Sequence, residues 1–402
     1  MRIAVVNNFF PPRVGGSAYV ADTVARHYAA AGHEVLVITA GYHGGLPEEE
    51  RDGIRIVRLP SWTLPETRIS FNFDITFALR WGNRKRVFQL LDRFQPDVIH
   101  QHGQFFDLTW TAGLWARRRN VPSLLTFHTR LVSPMWAPNL VFRGLDAMVV
   151  RPILDYIRPT KVLAIDVVFY EYIKARYGID DDRIETSAVG VELDRFQHLD
   201  KAAERKALRE RFDIGDGPLI ASLGHVIPLR HRVGLIEALP RVLKRHPDTK
   251  VLVIGGVYYA RFQERARELG VEHAVISAGA LPKAEIPGIL AAADMEIHDL
   301  QDYGISIATL EAMAAGTPTV MATRPDYFMH TRLRDGQETL LVHTDDRVGL
   351  ANAINRLIED PDLAKRIGDG GRDWVWGSFD MPKICQHNLD ILTEMAAERK
   401  AG

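Results

Sequence analysis

The sequence predicts an α/β protein of two doubly wound, Rossmann-like domains with parallel sheets. The chain has 402 residues, more than one compact core organises, and two domains of about 200 residues are the natural division. Short apolar runs alternate with amphipathic helical stretches along the chain, the pattern of parallel strands joined by helices. Several of those runs end in glycine or histidine, at the carboxyl ends of strands where open α/β sheets bind ligands.

Composition narrows the class. Apolar residues make up 46% and charged residues 25%, with a net charge of −1, the profile of a soluble globular protein. Nothing in that balance calls for nucleic acid as a partner. The single cysteine, Cys385, forms no internal disulfide, and no Cys/His spacing marks a zinc site, so a reducing cytoplasm is expected. The opening MRIAVVNNFF reads as a strand rather than a signal peptide, and no run of eighteen apolar residues occurs. Peripheral membrane contact stays open, and spanning is not expected.

Residues 3–6 form the first apolar run, which ends at Asn7 and Asn8 ahead of Pro11-Pro12-Arg13-Val14-Gly15-Gly16-Ser17. A helix follows with Val20, Ala21, Val24, Ala25 and Tyr28 on one face, and Gly32 closes it before a strand at 35–39. No GxGxxG is present, so a bound dinucleotide, and with it an oxidoreductase, is not indicated. The Gly15-Gly16 pair lets backbone come close to a ligand, and a plain turn explains it equally. Residues 75–94 carry a helical pattern in which Arg80, Arg84, Lys85 and Arg86 lie beside Phe77, Trp81 and Phe88, a face for anionic lipid or simply for solvent. Strands at 98–100 and 123–127 end in Gln101-His102-Gly103 and His128-Thr129-Arg130. A strand at 162–165 and a helix at 169–177 come next. The charged helix 201–212 and Gly215-Asp216-Gly217-Pro218 mark a linker. Strands are then expected at 219–223, 251–254, 274–277, 295–297, 319–321 and 339–342, and a last helix at 382–399.

The most informative stretch is LQDYGISIATLEAMAAGTPTVMAT at 300–323. Asp302, Tyr303 and Gly304 make a loop that opens into a short helix carrying Glu311. Leu310, Met313 and Ala314 form its packed face, and Gly316 and Pro318 end it. A helix start preceded by glycine leaves backbone N–H groups unbonded at the positive end of the dipole, a seat for an anion such as a diphosphate. Glu311, one turn in, suits ribose hydroxyls instead.

LEAMAAGTPTV resembles the sugar-nucleotide signature of the family 4 retaining glycosyltransferases, of GT-B fold, and the likeness runs loosely over nearly the whole chain. The loop from Pro11 to Gly16 is similar to the family's PP-x-x-GG, beside donor phosphate or acceptor. His128 is similar to the histidine of its T-x-H pattern, which contacts the donor sugar. VGVELDRF at 189–196 resembles N-G-V-D-x-x-x-F, with Val189 where asparagine is usual. The resemblance implies two lobes facing a central cleft. Residues 1–200 form the acceptor side, completed by helix 380–402 crossing back as a hinge tether, and residues 201–379 the nucleotide-sugar donor side. In the family the region of 133–156 shapes the acceptor side. Here its large apolar residues Met135, Trp136, Phe142, Leu145 and Met148, broken by Pro134, Pro138 and Pro152, fit a core helix pair equally.

The family's diphosphate clamp has the form G-R-x-x-x-x-K, and the same spacing here gives Gly224-His225 and Arg230. Arg230 keeps the charge and adds a fork for phosphate oxygens. A neutral His225 supplies one donor; if it is protonated when donor binds, activity falls at alkaline pH. A shared role for His231 and Arg232 is the alternative. The family also pairs two glutamates with seven residues between them. Glu311 matches the second, Tyr303 stands where the first belongs, and Asp302 lies beside it. Either Asp302 fills that role, or sugar recognition passes to Tyr303 and the amides of Gly304, Ile305, Ser306 and Ile307. The base is met through backbone near Ala280 and Leu281.

The implied reaction is retaining transfer from a nucleotide-diphosphate sugar, UDP-linked by family frequency, to an acceptor hydroxyl. It proceeds by front-face attack, with the donor phosphate oxygen taking the acceptor proton. His128, Arg230 and Asp302 are the catalytic candidates, with no protein nucleophile, no D-x-D metal pair, and no cofactor besides the co-substrate. The basic helix favours a lipid-linked or glycan acceptor, whereas the near-zero charge favours a small hydroxylated molecule. A non-catalytic sugar-nucleotide-binding partner is the competing reading, motivated by His225, Val189 and Tyr303. Oligomeric state leaves no trace in the sequence.

Overall fold

A computed structural model of the chain describes residues 1–13, 15–64, 75–132, 136–301 and 304–401. The chain divides into two units, 1–189 with 382–402, and 190–381.

In the first unit the run Arg2–Asn7 (β1) is the middle of an eight-stranded sheet. Ile3, Ala4, Val5 and Val6 are wholly buried, as a strand covered on both faces demands, and each large apolar side chain so buried stabilises by roughly 1.5–3 kcal/mol. Helix Gly16–Ala30 (α1) buries Ala21, Val24, Ala25 and Tyr28 against it. Strands Glu34–Ala40 (β2), Glu48–Arg51 (β3) and Ile54–Leu59 (β4) build one side of the sheet, with only β3 antiparallel to its neighbour. Trp62–Leu64 (β5) and Ile75–Phe77 (β6) form a separate antiparallel pair. The helical pattern expected over 75–94 is therefore half wrong. Its first residues pair as β6, and the helix Asn83–Phe94 (α2) begins only after Gly82, which takes φ 93. The basic run is also partly neutralised, since Arg86 donates to Glu48 at 2.9 Å.

Strands Val98–His102 (β7), Ser123–Thr126 (β8), Lys161–Ala164 (β9) and Ile184–Thr186 (β10) complete the order β10-β9-β8-β7-β1-β2-β4-β3. Asn7, His102 and Thr126 stand in register, so the strand ends form one edge. Helix Asp107–Arg119 (α3) joins β7 to β8. Helix Trp136–Leu145 (α4) buries none of its residues, and Trp136 and Met148 are 81% and 75% exposed. The core-helix-pair alternative thus fails for α4. A widened turn over 146–150 follows, anchored by buried Asp146 accepting from Tyr172 and Tyr177, and leads into Arg151–Ile157 (α5). Asp166 caps Val167–Tyr177 (α6) by accepting the Phe169 N–H at 2.7 Å.

In the second unit, Lys201–Phe212 (α7) precedes Leu219–Leu223 (β11), Val233–Leu243 (α8), Lys250–Ile254 (β12), Ala260–Glu268 (α9), Val275–Gly279 (β13), Ile286–Ala292 (α10) and Met295–Glu296 (β14). The parallel order is β13-β12-β11-β14. Ile307–Ala314 (α11) then leads to Val320–Met321 (β15) and Leu340–Leu341 (β16), a parallel pair joined to β14 through a bridge from Glu296 to Thr319. Arg347–Glu359 (α12) and Pro361–Ser378 (α13) follow, and one core joins α8, α12 and α13 to the sheet through Leu235, Ile236, Leu239, Ile354, Leu363 and Ile367.

From sequence the unit boundaries are expected at 200/201 and 379/380. In the structure Val191 donates to Phe379 O at 2.8 Å and accepts from Met381 N at 3.1 Å, which ties the start of the second unit to its end. A Cβ on Gly190 would lie 2.6 Å from Met381 Cα, so only glycine fits that crossing. The last helix, Met381–Ala401 (α14), belongs from residue 382 to the first unit, where His387 meets Thr186 O at 3.1 Å and Leu389, Leu392 and Met395 are buried.

Candidate active site

Within the second unit, β11 lies between β12 and β14, so the connections leave it in opposite directions and a crevice opens at the strand ends. Gly224, just past β11, has φ 114, and a Cβ there would sit 2.7 Å from His298 Cε1. Past β14 stand His298 and Asp299, both buried. Asp299 Oδ1 accepts from Arg230 Nη1 at 2.6 Å, while Oδ2 accepts from the Ser306 N–H at 2.7 Å and the Thr309 hydroxyl at 3.0 Å. One carboxylate thus joins Arg230 to the first turn of α11. Ser306 also caps that helix, accepting the Thr309 N–H at 3.2 Å. Gly304, with φ 127, leads into it, and a Cβ there would lie 2.1 Å from Tyr327 Oη.

Behind this bridge is a buried charged cluster. Arg232, 1% exposed, donates to Ser222 O and Leu223 O at 3.1 and 2.9 Å and to His298 Nδ1. Because arginine only donates, His298 Nδ1 is the acceptor, and Nε2 carries the proton 3.5 Å from Asp299. Burial pulls the His298 pKa well below the ordinary value, so the ring is neutral. Burial lowers Arg232 to about 10 and raises Glu296 to about 8, the latter with help from Asp299. Burial alone would raise Asp299, but His298, Arg230 and the Ser306 N–H outweigh it and hold the carboxyl below its usual range. The alternative that His231 and Arg232 share the clamp fails on these partners: Arg232 is turned inward, and His231 Nε2 meets Arg347.

Glu311 Oε1 accepts from Arg195 Nη1 at 3.0 Å, and Arg195 also donates to Lys283 O, two residues past Leu281. Lys283 in turn reaches Glu192 at 3.2 Å. Burial raises the Glu311 pKa, with Arg195 and Lys283 opposing. His225 is exposed, and its Nδ1 accepts the Gly256 N–H at 3.0 Å. Burial of part of the ring and the charge of Arg232 lower its pKa. The ring is therefore neutral with its proton on Nε2 in the unliganded protein.

The first unit has its own strand-end constellation. His128, two residues past β8, places Nε2 at 2.9 Å from Nδ1 of His102, and the rings stack at 5.1 Å. His100 lies under His102 at 4.2 Å and bonds Tyr28 Oη at 2.9 Å and Thr126 Oγ1 at 2.8 Å. Burial drives all three pKa values down, to about 3 for His100 and about 4 for His128. Gly15 and Gly16 open α1, whose first turn is tied to the same edge where Asn7 donates to Ser17 O at 3.1 Å.

Arg230, Gly304, Ser306 and the α11 start thus share one site, with Ile305 and Ile307 beside Ser306 and Glu311 one turn along. No hydrogen bond links His225 to Arg230 among the described residues. Gly15, Gly16 and His128 belong to the other unit. Asp302 and Tyr303 lie outside the described residues. Sequence reasoning placed His102 at a strand end without giving it a role, and missed Asp299, Arg195 and Lys283. The only signal for Asp299 was an acid at the end of an expected strand.

Comparison with known proteins bears on both units. Residues 14–195 match Glycosyltransferase Family 4, and residues 204–374 match Glycosyl transferases group 1. The chain is 29% identical, over 99% of its length and 100% of the relative's, to a GDP-mannose-dependent alpha-(1-6)-phosphatidylinositol monomannoside mannosyltransferase of Mycolicibacterium smegmatis. It is 25% identical, over 90% of its length and 80% of the relative's, to an alpha-monoglucosyldiacylglycerol synthase of Streptococcus pneumoniae. A solved glycosyltransferase from Rickettsia africae superimposes with a TM-score of 0.76 at 19% identity, covering 98% of both chains. The chain belongs to the family 4 glycosyltransferases, and its fold is GT-B. It is accordingly a transferase enzyme, as the resemblance of 300–323 implied.

Proposed function

We propose that the protein moves a hexosyl unit from a nucleotide-diphosphate sugar to the hydroxyl of a lipid acceptor, with retention of anomeric configuration and without a metal ion. The observation that carries this reading is the Asp299 bridge, which sets a guanidinium and a helix N-terminus side by side at the strand-end crevice. A departing diphosphate gains charge as the glycosidic bond breaks, and a cation with backbone N–H groups stabilises that charge directly. Glu311 accepts the ribose hydroxyls, the backbone near Leu281 meets the base, and His225 adds one neutral donor to the phosphates. His128 is proposed to meet the sugar being transferred, and Gly15 and Gly16 to let backbone approach the ligand.

In the proposed step the acceptor oxygen bonds the anomeric carbon on the face from which the diphosphate leaves. The acceptor proton passes to the departing phosphate oxygen, so no protein nucleophile is needed. For the donor, the resemblance pointed to UDP by frequency, whereas the mannosyltransferase relative is named for GDP-mannose. We therefore take GDP-mannose as the first donor to test. Two relatives are named for lipid acceptors, and α4 with the widened turn after it offers exposed Trp136, Leu140, Val141 and Met148 as apolar surface that suits a lipid. Among the described residues no helix is long and apolar enough to cross a membrane, so contact would be peripheral.

The test is transfer by purified protein from GDP-mannose and UDP-glucose to phosphatidylinositol-type and diacylglycerol acceptors, with and without EDTA. Release of nucleoside diphosphate coupled to an α-linked product, unaffected by EDTA, is the expected result. Inverted product, or activity that needs added metal, would overturn the mechanism. Binding without turnover for every donor and acceptor pair would favour the non-catalytic role.

A further inference from the structure

We propose that Asp299 is a positioning residue for the donor, holding Arg230 and the start of α11 in the one arrangement that receives a diphosphate. The inference rests on the reading of that site as a nucleotide-diphosphate site. A carboxylate next to a phosphate seat would ordinarily repel the ligand, and the geometry shows why this one does not face it. Asp299 has a side-chain exposure of 0%, and both oxygens are already taken. Oδ1 faces Arg230 at 2.6 Å and His298 Nε2 at 3.5 Å, and Oδ2 takes the Ser306 N–H and the Thr309 hydroxyl.

Arg230 is in the opposite situation. Its side chain is 29% exposed, and only Nη1 is bonded to Asp299. The guanidinium is a rigid fork of five donors, so fixing one corner orients the others. Without that anchor a long side chain samples many rotamers, and ordering it on ligand binding weakens the affinity. The second oxygen does the same for the helix. By consuming the Ser306 N–H it sets where the first turn begins, and the donors left for an anion are the N–H groups of Ile307 and Ala308. The pairing spans 69 residues of sequence, and it exists only because β14 lies beside β11.

The test is a double-mutant cycle on binding of GDP and of UDP, read by calorimetry to millimolar ligand. Asp299→Asn should raise the Kd about tenfold or more when Arg230 is present, the loss of one charge-assisted anchor. In an Arg230→Ala background the same change should raise it by a clearly smaller factor, about two- to threefold, because only the start of α11 is then left to position. Equal losses in both backgrounds, or an unchanged Kd for Asp299→Asn, would overturn the inference. If Asp299→Asn does not fold, Thr309→Val removes one donor to the carboxylate at nearly constant volume. It should raise the Kd a few-fold with Arg230 present and by less without it, and an equal rise without Arg230 overturns the inference. Failure of the wild-type protein to bind either nucleotide would instead remove the reading of the site itself.

Discussion

The two strand-end edges are built alike and charged differently. In each unit a central strand, β1 or β11, is flanked on its two sides in the sheet by strands that both come later in the chain, and chemistry collects beyond its carboxyl end. The first unit gathers His100, His102 and His128, all held neutral by burial. The second gathers Arg230, Arg232, Glu296 and Asp299 within bonding distance of one another or of His298 and Thr309. A neutral, polar edge suits sugar hydroxyls, which need donors and acceptors but no counter-charge. A cationic edge at a helix start suits phosphate. The proposed division of labour between the halves rests on this electrostatic difference at equivalent places in a repeated topology.

The largest expected effect comes from removing the cation of the charged edge. Arg230→Ala should cost on the order of 2 to 4 kcal/mol in kcat/KM, if Arg230 is the main charge on the departing diphosphate. The thermal stabilisation by the correct nucleotide sugar should vanish with it, while the unliganded protein still folds but melts lower, because buried Asp299 loses its cationic partner. If ligand-induced stabilisation persists unchanged, the phosphate contact belongs elsewhere and the contrast between the edges loses its meaning. His128→Ala at the neutral edge should be milder, about 10- to 100-fold in kcat with nucleoside diphosphate affinity unaltered. A weakened affinity for nucleoside diphosphate in that variant would show the two edges not to be separable.

Glu311→Gln should act on binding rather than on chemistry. With the carboxylate lost, the ribose keeps only a neutral acceptor, and the donor KM should rise about tenfold at nearly constant kcat. Arg195, which holds Glu311 at 3.0 Å, is the control: Arg195→Ala leaves the carboxylate in place and should change KM less. A fall in kcat equal to the change in kcat/KM would move Glu311 from binding to the transition state.

The alternation of strands and helices was legible because the central parallel strands, such as β1, β2, β8, β11 and β12, are buried apolar runs and most of the helices carry one apolar face. Residues 75–94 misled because Arg80, Trp81, Arg84 and Phe88 sit at helical spacing, while Ile75–Phe77 is claimed by β5 across intervening chain. What is local could be read at 304–311, where the glycine, the helix start and Glu311 fall within about two turns. Arg230 was legible only through spacing from Gly224. Asp299 and Arg195 were not, since their meaning lies with partners 69 and 116 residues away. No local pattern encodes such pairings; the order in which strands enter the sheet does.

Acid stability sharpens the same contrast. The histidines of the first unit have folded pKa values of about 3 and about 4 for His100 and His128, against about 6.5 in an unfolded chain. Between these values the unfolded state binds protons that the native state refuses, so the stabilising effect is complete above pH 6.5 and is lost as pH falls through 4 and then 3. The urea midpoint should therefore decline on acidification from pH 6.5, and His100→Gln should flatten part of that decline. An unchanged slope would mean that the buried imidazole accepts its proton in the native state.

The smallest effect is expected at His225. Its Nδ1 is committed to the Gly256 N–H, and burial together with Arg232 lowers its pKa, so over the range where the enzyme works the ring offers one neutral donor at Nε2. A neutral hydrogen bond contributes about 0.5–1.5 kcal/mol, and His225→Ala should raise the donor KM only a few-fold. The same tautomer argument fixes the pH profile. A group already neutral at pH 7 has no proton to lose between pH 7 and 9, so kcat/KM should show no alkaline limb that depends on His225. An alkaline limb that disappears in His225→Ala would show a protonated ring on the bound donor, and with it a second cation at the charged edge.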